Sequence, residues 1–292
     1  MGKRRKVVHD ARPSQKSGSR SEKPQKGISS KQGLKQGLKQ KQQPQSQSQP
    51  HHDEPTIPFA PEHKILLIGD GDLSFAASLV EHHYCADVTA TVLEKTLDEL
   101  VEKYPHVQEN ITKVEAEGST VLYNIDATKM APFVNKKGKD STGVMDRIIF
   151  NFPHVGGKST DVNRQVRYNQ ELLVEFFKRA MLSLAPGGSI IVTLFEGEPY
   201  TLWNIRDLAR HMGLLVERSF RFQASAYPGY HHARTLGVVR SKKNGEVGGG
   251  WKGEDRPARS YVLIQKDDHA RPAPTNTKKR PRAPDGDSSD DD

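Results

Sequence analysis

Between residues 58 and 267, short apolar runs alternate with stretches in which apolar residues recur every three or four positions, so strands and helices can be assigned in turn. Lys64-Ile65-Leu66-Leu67-Ile68 is a continuous apolar run ending at Gly69, the pattern of a strand buried on both faces of a parallel sheet. A helix follows through Ser74, Phe75 and Leu79, with Asp72 placed to cap it. Residues 88–93 read as a second strand closed by Glu94, with a charged helix from about Asp98. Residues 120–125, closed by Asp126, give a third, and residues 147–150, closed by Asn151-Phe152-Pro153-His154, a fourth. Asn169, Leu172, Leu173, Phe176, Phe177, Ala180 and Leu184 then form one helical stripe that stops at Pro186-Gly187-Gly188. A strand at 189–194, a helix at 202–212 and strands at 214–222 and 260–264 complete the series. This alternation predicts an α/β fold with a doubly wound, mostly parallel, seven-stranded sheet covered by helices on both faces. Ligands of such sheets sit beyond the carboxyl ends of the strands, where Gly69-Asp70-Gly71-Asp72, Glu94, Asp126 and Asn151–His154 all fall.

Charge and composition bear mainly on the ends of the chain. Of the 292 residues, the first 50 hold 13 Lys+Arg against 2 Asp+Glu and almost no large apolar side chains. Residues 271–292 hold five of each, leaving 26 against 29 for the middle, so the net charge of +8 belongs to an N-terminal arm and the core is slightly acidic. The organisation expected is a disordered basic tail over 1–57, one domain over 58–267 and a disordered tail over 268–292. Lys3-Arg4-Arg5-Lys6 fits a nuclear address or an RNA-touching arm, with a merely solvated tail as the plain alternative. The distal Lys278-Lys279-Arg280-Pro281-Arg282 and Ser288-Ser289 have the same ambiguous character. A single cysteine, Cys85, excludes a disulfide framework and a multi-cysteine zinc site and argues for a reducing compartment, and no metal is expected. No apolar run approaches the roughly 18–20 residues of a membrane span, so no membrane partner is expected.

At the predicted cleft, Gly69 and Gly71 let backbone approach a ligand, and Glu94, 25 positions after Gly69, stands where nucleotide-binding sheets place a carboxylate on ribose hydroxyls. Together they suggest an adenosine site. The turn lacks the third glycine of a dinucleotide fingerprint, and Asp70 and Asp72 would repel a pyrophosphate by about 1–4 kcal/mol per close pair. Carboxylates there favour a cation, so S-adenosylmethionine, with its ammonium and sulfonium, is preferred to NAD, while its carboxylate would meet the amides of the helix that begins near Ser74 and Phe75. Asp72 serves equally as a cap, and an exposed strand end is the lesser alternative for Glu94. Asn151-Phe152-Pro153-His154 has the look of the Asn/Asp-Pro-Pro-aromatic loop of enzymes that methylate a planar nitrogen, with Phe152 at the first proline and His154 at the aromatic. The proline is expected to project Asn151 and His154 into the cleft, with His154 as proton acceptor or stacking face. A turn with a buried Phe152 and an exposed His154 is the bland reading.

Four blocks together are distinctive: Lys64-Ile-Leu-Leu-Ile-Gly-Asp-Gly-Asp-Leu-Ser-Phe75, Asp146-Arg-Ile-Ile-Phe-Asn-Phe-Pro-His-Val-Gly-Gly157, Asn169-Gln-Glu-Leu-Leu-Val-Glu-Phe-Phe177 and Tyr227-Pro-Gly-Tyr-His-His-Ala-Arg-Thr-Leu-Gly237. In this order they resemble the Rossmann-like domain of the fungal large-subunit (25S) rRNA uridine-N(3) methyltransferases, over essentially the whole 58–267 core. The resemblance implies methyl transfer from S-adenosylmethionine to N3 of a uridine in ribosomal RNA, a nuclear and nucleolar location, and work on a pre-ribosomal particle as a monomer. Gly248-Gly249-Gly250 reads as an insertion relative to that family. RNA contacts are expected from Lys158, Arg164 and Arg167 after the loop and from Tyr227, Tyr230, His231 and Arg234 as a cover over a flipped base, although ordinary turns and solvated arginines fit the spacing equally. The rival readings are an inactive methyltransferase-like assembly factor, a tRNA base methyltransferase and an NAD-linked oxidoreductase.

Overall fold

The computed structural model describes residues 54–137, 140–238 and 253–266; both tails and Gly248-Gly249-Gly250 lie outside the described residues. Strand β1 (Lys64–Leu67), β2 (Asp87–Thr91), β3 (Thr120–Leu122), β6 (Met145–Asn151), β7 (Leu184–Phe195), β8 (Leu214–Arg221) and β9 (Ala258–Gln265) form one seven-stranded sheet in the order β3-β2-β1-β6-β7-β9-β8. All neighbours are parallel except β9, which runs antiparallel to both β7 and β8. Side chains alternate across the sheet, so Ile65 and Leu67 face one apolar layer while Leu66 and Ile68 face the other. The first layer lies under α1 (Ser74–His82), α2 (Leu97–Lys103) and α3 (Val107–Ala116), the second under α4 (Val162–Met181) and α5 (Ile205–His211). Because the chain leaves β1 and β6 toward opposite faces, a crevice opens between their carboxyl ends.

The stripe on α4 buries Val166, Asn169, Leu173, Phe176, Phe177 and Ala180, and Asp161 caps the helix by accepting from the Arg164 amide at 2.8 Å. Phe176 is fully buried, with its ring edge-on to Phe150 of β6 at 5.0 Å. Phe176→Ala is expected to cost about 3–5 kcal/mol through lost burial and a residual cavity, read as a fall of about 10 °C in Tm.

Several boundaries differ from the sequence reading for identifiable reasons. The helix expected from Asp98 is two, because Tyr104 precedes Pro105 and is held out of the α region. The third strand stops at Leu122, since Asn124 takes a left-handed conformation. The long helix ends at Met181, and β7 runs through Pro186-Gly187-Gly188. There the register shifts from Met145↔Leu184 to Arg147↔Ser189, so the expected stop is a bulge inside a strand. The helix expected at 202–212 begins at Ile205, with a short turn at Tyr200–Trp203 before it. The hairpin of β4 (Val134–Lys137) and β5 (Asp140–Gly143) gave no signal, its sequence carrying only one apolar side chain, Val134. Gly143 lets it dock, as a Cβ there would run into the backbone of Ser183 and Leu184.

Candidate active site

At the end of β1 the chain turns through Gly69 and enters α1 behind Leu73, whose left-handed backbone supplies no capping side chain. The two aspartates take that role. Asp70 Oδ2 accepts from the Ala76 amide at 2.8 Å, and Asp72 Oδ1 lies 3.1 Å from the Ser74 amide and 2.7 Å from its hydroxyl. The protein's own carboxylates thus occupy the Ser74 and Ala76 amides. Burial, reinforced by Asp72 and opposed by the Ala76 amide, pushes the Asp70 carboxyl up to about 7, and burial raises Asp72 as well. Gly71 is required by close approach, since a Cβ there would sit 2.9 Å from the Ala233 methyl.

Glu94, just beyond β2, is ion-paired with Lys103 at the end of α2 and turns into the same crevice. Asp126 closes its own turn, accepting from the Thr128 amide at 2.9 Å and hydroxyl at 2.7 Å. Burial acts to raise its carboxyl, but the Thr128 bonds and Lys129 outweigh burial and hold it below the usual range.

Across the crevice, Asn151 ends β6 with its Oδ1 accepting from the Thr193 hydroxyl at 2.7 Å. Phe152 has φ of 51°, a conformation closed to proline, which explains why phenylalanine stands where the resembled loop has its first proline. The reversal at Phe152, rather than Pro153 alone, aims the loop. Its ring packs on Phe195 at 4.5 Å and edge-on to His232 at 4.3 Å, while Pro153 is buried. Two polar side chains of α4 hold the following residues: Asn169 Oδ1 accepts from the Val155 amide at 3.0 Å and Gln165 Nε2 donates to the Gly156 carbonyl at 2.5 Å. Asn169 was visible in the sequence only as a member of the apolar stripe, yet it is the fully buried tether of this loop. His154 Nδ1 accepts from the Gly156 amide at 2.9 Å, so the neutral ring carries its proton on Nε2, and burial lowers its pKa.

The segment 227–238 forms a strap. His231 N donates to the Ser74 hydroxyl at 3.0 Å, and the Tyr104 hydroxyl donates to the Arg234 carbonyl at 2.8 Å. Glu254 accepts from the His232 amide at 2.7 Å, and burial drives the His232 ring down to about 4. Tyr227, expected among the RNA contacts, is instead a core side chain, 4% exposed and stacked on Phe222 at 5.4 Å with 12° between planes. The aromatic-to-aromatic packing of Phe59, Phe75 and His83 around it leaves no face for a base. Sequence reasoning passed over Lys103 and Tyr104, although Tyr104-Pro105 was there to be questioned.

A cavity of about 550 Å³ joins these parts. Gly69, Asp70, Gly71, Asp72, Phe75, Glu94 and Asp126 line it on one side, and Asn151, Phe152 and His154 on the other. Lys158, Tyr230 and His231 also border it. Ser74 and Pro153 do not line it, and Arg164, Arg167 and Arg234 are exposed and outside its lining. The residues that the sequence placed at one sheet edge therefore do meet in one crevice. Among the described residues no helix is long and apolar enough to cross a membrane, and no cluster of three or more His, Cys, Asp or Glu is arranged to hold a metal.

The strand order, with β9 reversed between β7 and β8 and an acid-rimmed crevice between β1 and β6, defines a Rossmann-like methyltransferase domain. Residues 66–234 match the family described as rRNA (uridine-N3-)-methyltransferase BTM5-like, and the chain belongs to this BMT5-like family. It is 29% identical over 256 residues to the 25S rRNA (uridine(2634)-N(3))-methyltransferase of Saccharomyces cerevisiae, covering 71% of this chain and 74% of that one. It is 31% identical over 179 residues to Heavy metal-associated isoprenylated plant protein 41 of Arabidopsis thaliana, covering 60% of this chain but only 34% of that longer protein. Among solved structures, a putative methyltransferase from Thermoplasma acidophilum superposes with a TM-score of 0.39 at 12% identity, over 71% of this chain and 70% of that one. The fold class rests on strand order rather than on that superposition.

Proposed function

We propose that the crevice binds S-adenosylmethionine on its acidic side and a flipped uridine of large-subunit ribosomal RNA on the side of Asn151 and His154. The protein is an rRNA uridine-N3 methyltransferase, as its family membership states, and S-adenosylmethionine is the methyl donor that the crevice suits. The observation that carries the residue assignment is that Asp70, Asp72 and Glu94 face Asn151 and His154 across one cavity of about 550 Å³, a volume suited to a small ligand and part of a base.

The donor set fits the cofactor. Half-buried carboxylates at Asp70 and Asp72 suit a cation, Glu94 stands at the tip of β2 where ribose hydroxyls are held, and Asp126 lies beside the apolar wall of Val92, Ile125 and Ala127. When bound, S-adenosylmethionine supplies a methyl group whose bond to sulfur breaks as the base nitrogen attacks, the electron pair returning to sulfur. Uridine N3 must lose its proton for that attack, and the resulting negative charge spreads onto O2 and O4. Asn151 and His154 serve as the residues that hold the base. With Oδ1 held by the Thr193 hydroxyl and Nδ1 by the Gly156 amide, Asn151 Nδ2 and His154 Nε2 are the groups that offer N–H donors to the charged oxygens. The N3 proton passes to water before or during the attack. Orientation in the crevice supplies much of the rate, on the order of 7–11 kcal/mol in well-aligned reactions.

A base inside RNA reaches the crevice only when flipped out. Lys158 at the rim and Arg164 and Arg167, one turn apart on α4, are placed to meet phosphates, and the basic residues 1–50 supply the larger share of non-specific affinity for the slightly acidic core. Deletion of residues 1–50 is expected to flatten the dependence of log Kd on log salt, measured by filter binding to ribosomal RNA. An unchanged slope moves the RNA contacts onto the core. A nucleolar location and a pre-ribosomal substrate accord with this chemistry. The assignment is tested by incubating purified protein, S-adenosylmethionine labelled on the methyl group, and ribosomal RNA: label in 3-methyluridine supports it, and label on another atom or no transfer overturns it.

A further inference from the structure

Two hydroxyl side chains that no sequence motif singles out stand behind Asn151. Thr193 lies on β7 directly opposite Asn151 in the β6–β7 register, and Ser260 lies on β9 directly opposite Thr193 in the β7–β9 register. Both are almost wholly buried, at 1% and 2% exposure, in strands whose buried positions are otherwise apolar except for Ser189. A polar side chain in such a place is retained only where its hydrogen bonds are made. Here they form a line: Ser260 Oγ is 2.9 Å from Thr193 Oγ1, which is 2.7 Å from Asn151 Oδ1.

Proton counting gives the line a direction. A hydroxyl has one proton to give. Thr193 gives its proton to Asn151 Oδ1, so it accepts from Ser260, and Ser260 is the outermost donor of the line. The consequence falls on the carboxamide. With Oδ1 turned to Thr193, Nδ2 is the end left for the crevice, and among the described residues it has no acceptor. Without the relay, the two ends of an amide differ little in shape and either can face a ligand.

We propose that Thr193 and Ser260 are positioning residues that lock the Asn151 carboxamide with its NH₂ toward the base, and that this lock makes the site select uracil over cytosine. Uracil presents a carbonyl oxygen beside N3 on each side, both acceptors, whereas cytosine presents an amino group on one of them. A fixed NH₂ pairs with the uracil oxygen and confronts the cytosine amino group with a second donor. Leaving a buried donor facing a donor is what gives such sites strong discrimination. The inference rests on the reading of the crevice as the uridine site, and adds to it which groups fix the amide and what that fixation rejects.

Thr193→Val keeps the shape and removes the relay; Thr193→Ser keeps the hydroxyl. The expected result for Thr193→Val is a fall of tenfold or more in kcat on uridine RNA, with Kd for S-adenosylmethionine within twofold of wild type. The ratio of uridine to cytidine methylation, measured on RNAs differing only at the target base, is expected to fall as well. Thr193→Ser should restore most of both, and Ser260→Ala should show a smaller loss in the same direction. A readout independent of turnover is the Asn151 side-chain amide resonance, assigned by its disappearance in Asn151→Asp: Thr193→Val should shift it and Thr193→Ser return it. Wild-type rate and selectivity in Thr193→Val, or equal losses in the valine and serine variants, overturn the lock. If wild-type protein methylates no uridine RNA, the reading of the crevice fails, while the amide resonance still decides whether Thr193 orients Asn151.

Discussion

Asn151→Ala lowers methyl transfer by about 10²–10³-fold and leaves the affinity for S-adenosylmethionine within twofold of wild type. The magnitude is that of removing one oriented donor from a developing negative charge in a water-poor site. Asn151 is on the base side of the crevice, across from Asp70 and Glu94, so its loss removes nothing that holds the cofactor. Asn151→Asp is the sharper variant. It keeps the oxygen that accepts from Thr193 and the side-chain volume, but puts a carboxylate oxygen where the NH₂ stood, so a base acquiring charge on O2 and O4 meets repulsion. Its activity should fall at least as far as that of the alanine variant. Single-turnover methylation with each variant, alongside calorimetric titration of the cofactor, checks both halves; substantial turnover in Asn151→Asp contradicts the donor role.

The second large effect concerns Asp70. Its carboxyl is raised to about 7 chiefly by burial and then by Asp72, so near neutrality the unliganded site holds it partly protonated. A cationic cofactor favours the ionised form. Above pH 7 the charge is already present; below it, each binding event must expel a proton, so Kd rises toward tenfold per unit as the pH falls. Asp70→Asn keeps an oxygen able to cap the Ala76 amide and removes the charge. Its Kd should be about tenfold or more above that of wild type at pH 8, from a Coulomb interaction of roughly 1–4 kcal/mol, and the steep part of the pH dependence below 7 should vanish. Titrations at pH 6, 7 and 8 compare the two proteins directly, and the difference between them removes the cofactor's own ionisation. Identical pH profiles place the cation elsewhere.

What the sequence made legible was the edge of the sheet. Apolar runs such as residues 64–68 and 147–150 declare buried strands, and the first polar residues after them must then sit together at the carboxyl ends, which is where Asp70, Glu94, Asp126, Asn151 and His154 are found. Hydrogen-bond partners were not legible, because they depend on which residues from distant segments meet. Asp70 and Asp72 spend part of their capacity on the α1 amides, Glu94 on Lys103, and Asn151 Oδ1 on Thr193. Those engagements leave Asn151 Nδ2 and His154 Nε2 as the donors facing the crevice, where the sequence showed His154 only as a proton acceptor or stacking face. Tyr227 illustrates the same limit: Tyr227-Pro228-Gly229-Tyr230 reads as a wet aromatic turn, but Phe59, Phe75, His83 and Phe222, four residues from three regions of the chain, close around its ring. The β4–β5 hairpin was invisible because a ribbon with one apolar side chain carries no period-2 pattern.

The central claim, that this crevice methylates N3 of a uridine in large-subunit ribosomal RNA through Asn151, is tested most directly by nucleoside mass spectrometry of that RNA from cells lacking the protein and from the same cells supplied with wild-type or Asn151→Ala protein. The account predicts a deficit of 3-methyluridine that wild-type protein repairs and Asn151→Ala does not. Undiminished 3-methyluridine in the deletion cells, or its full return with Asn151→Ala, would contradict it.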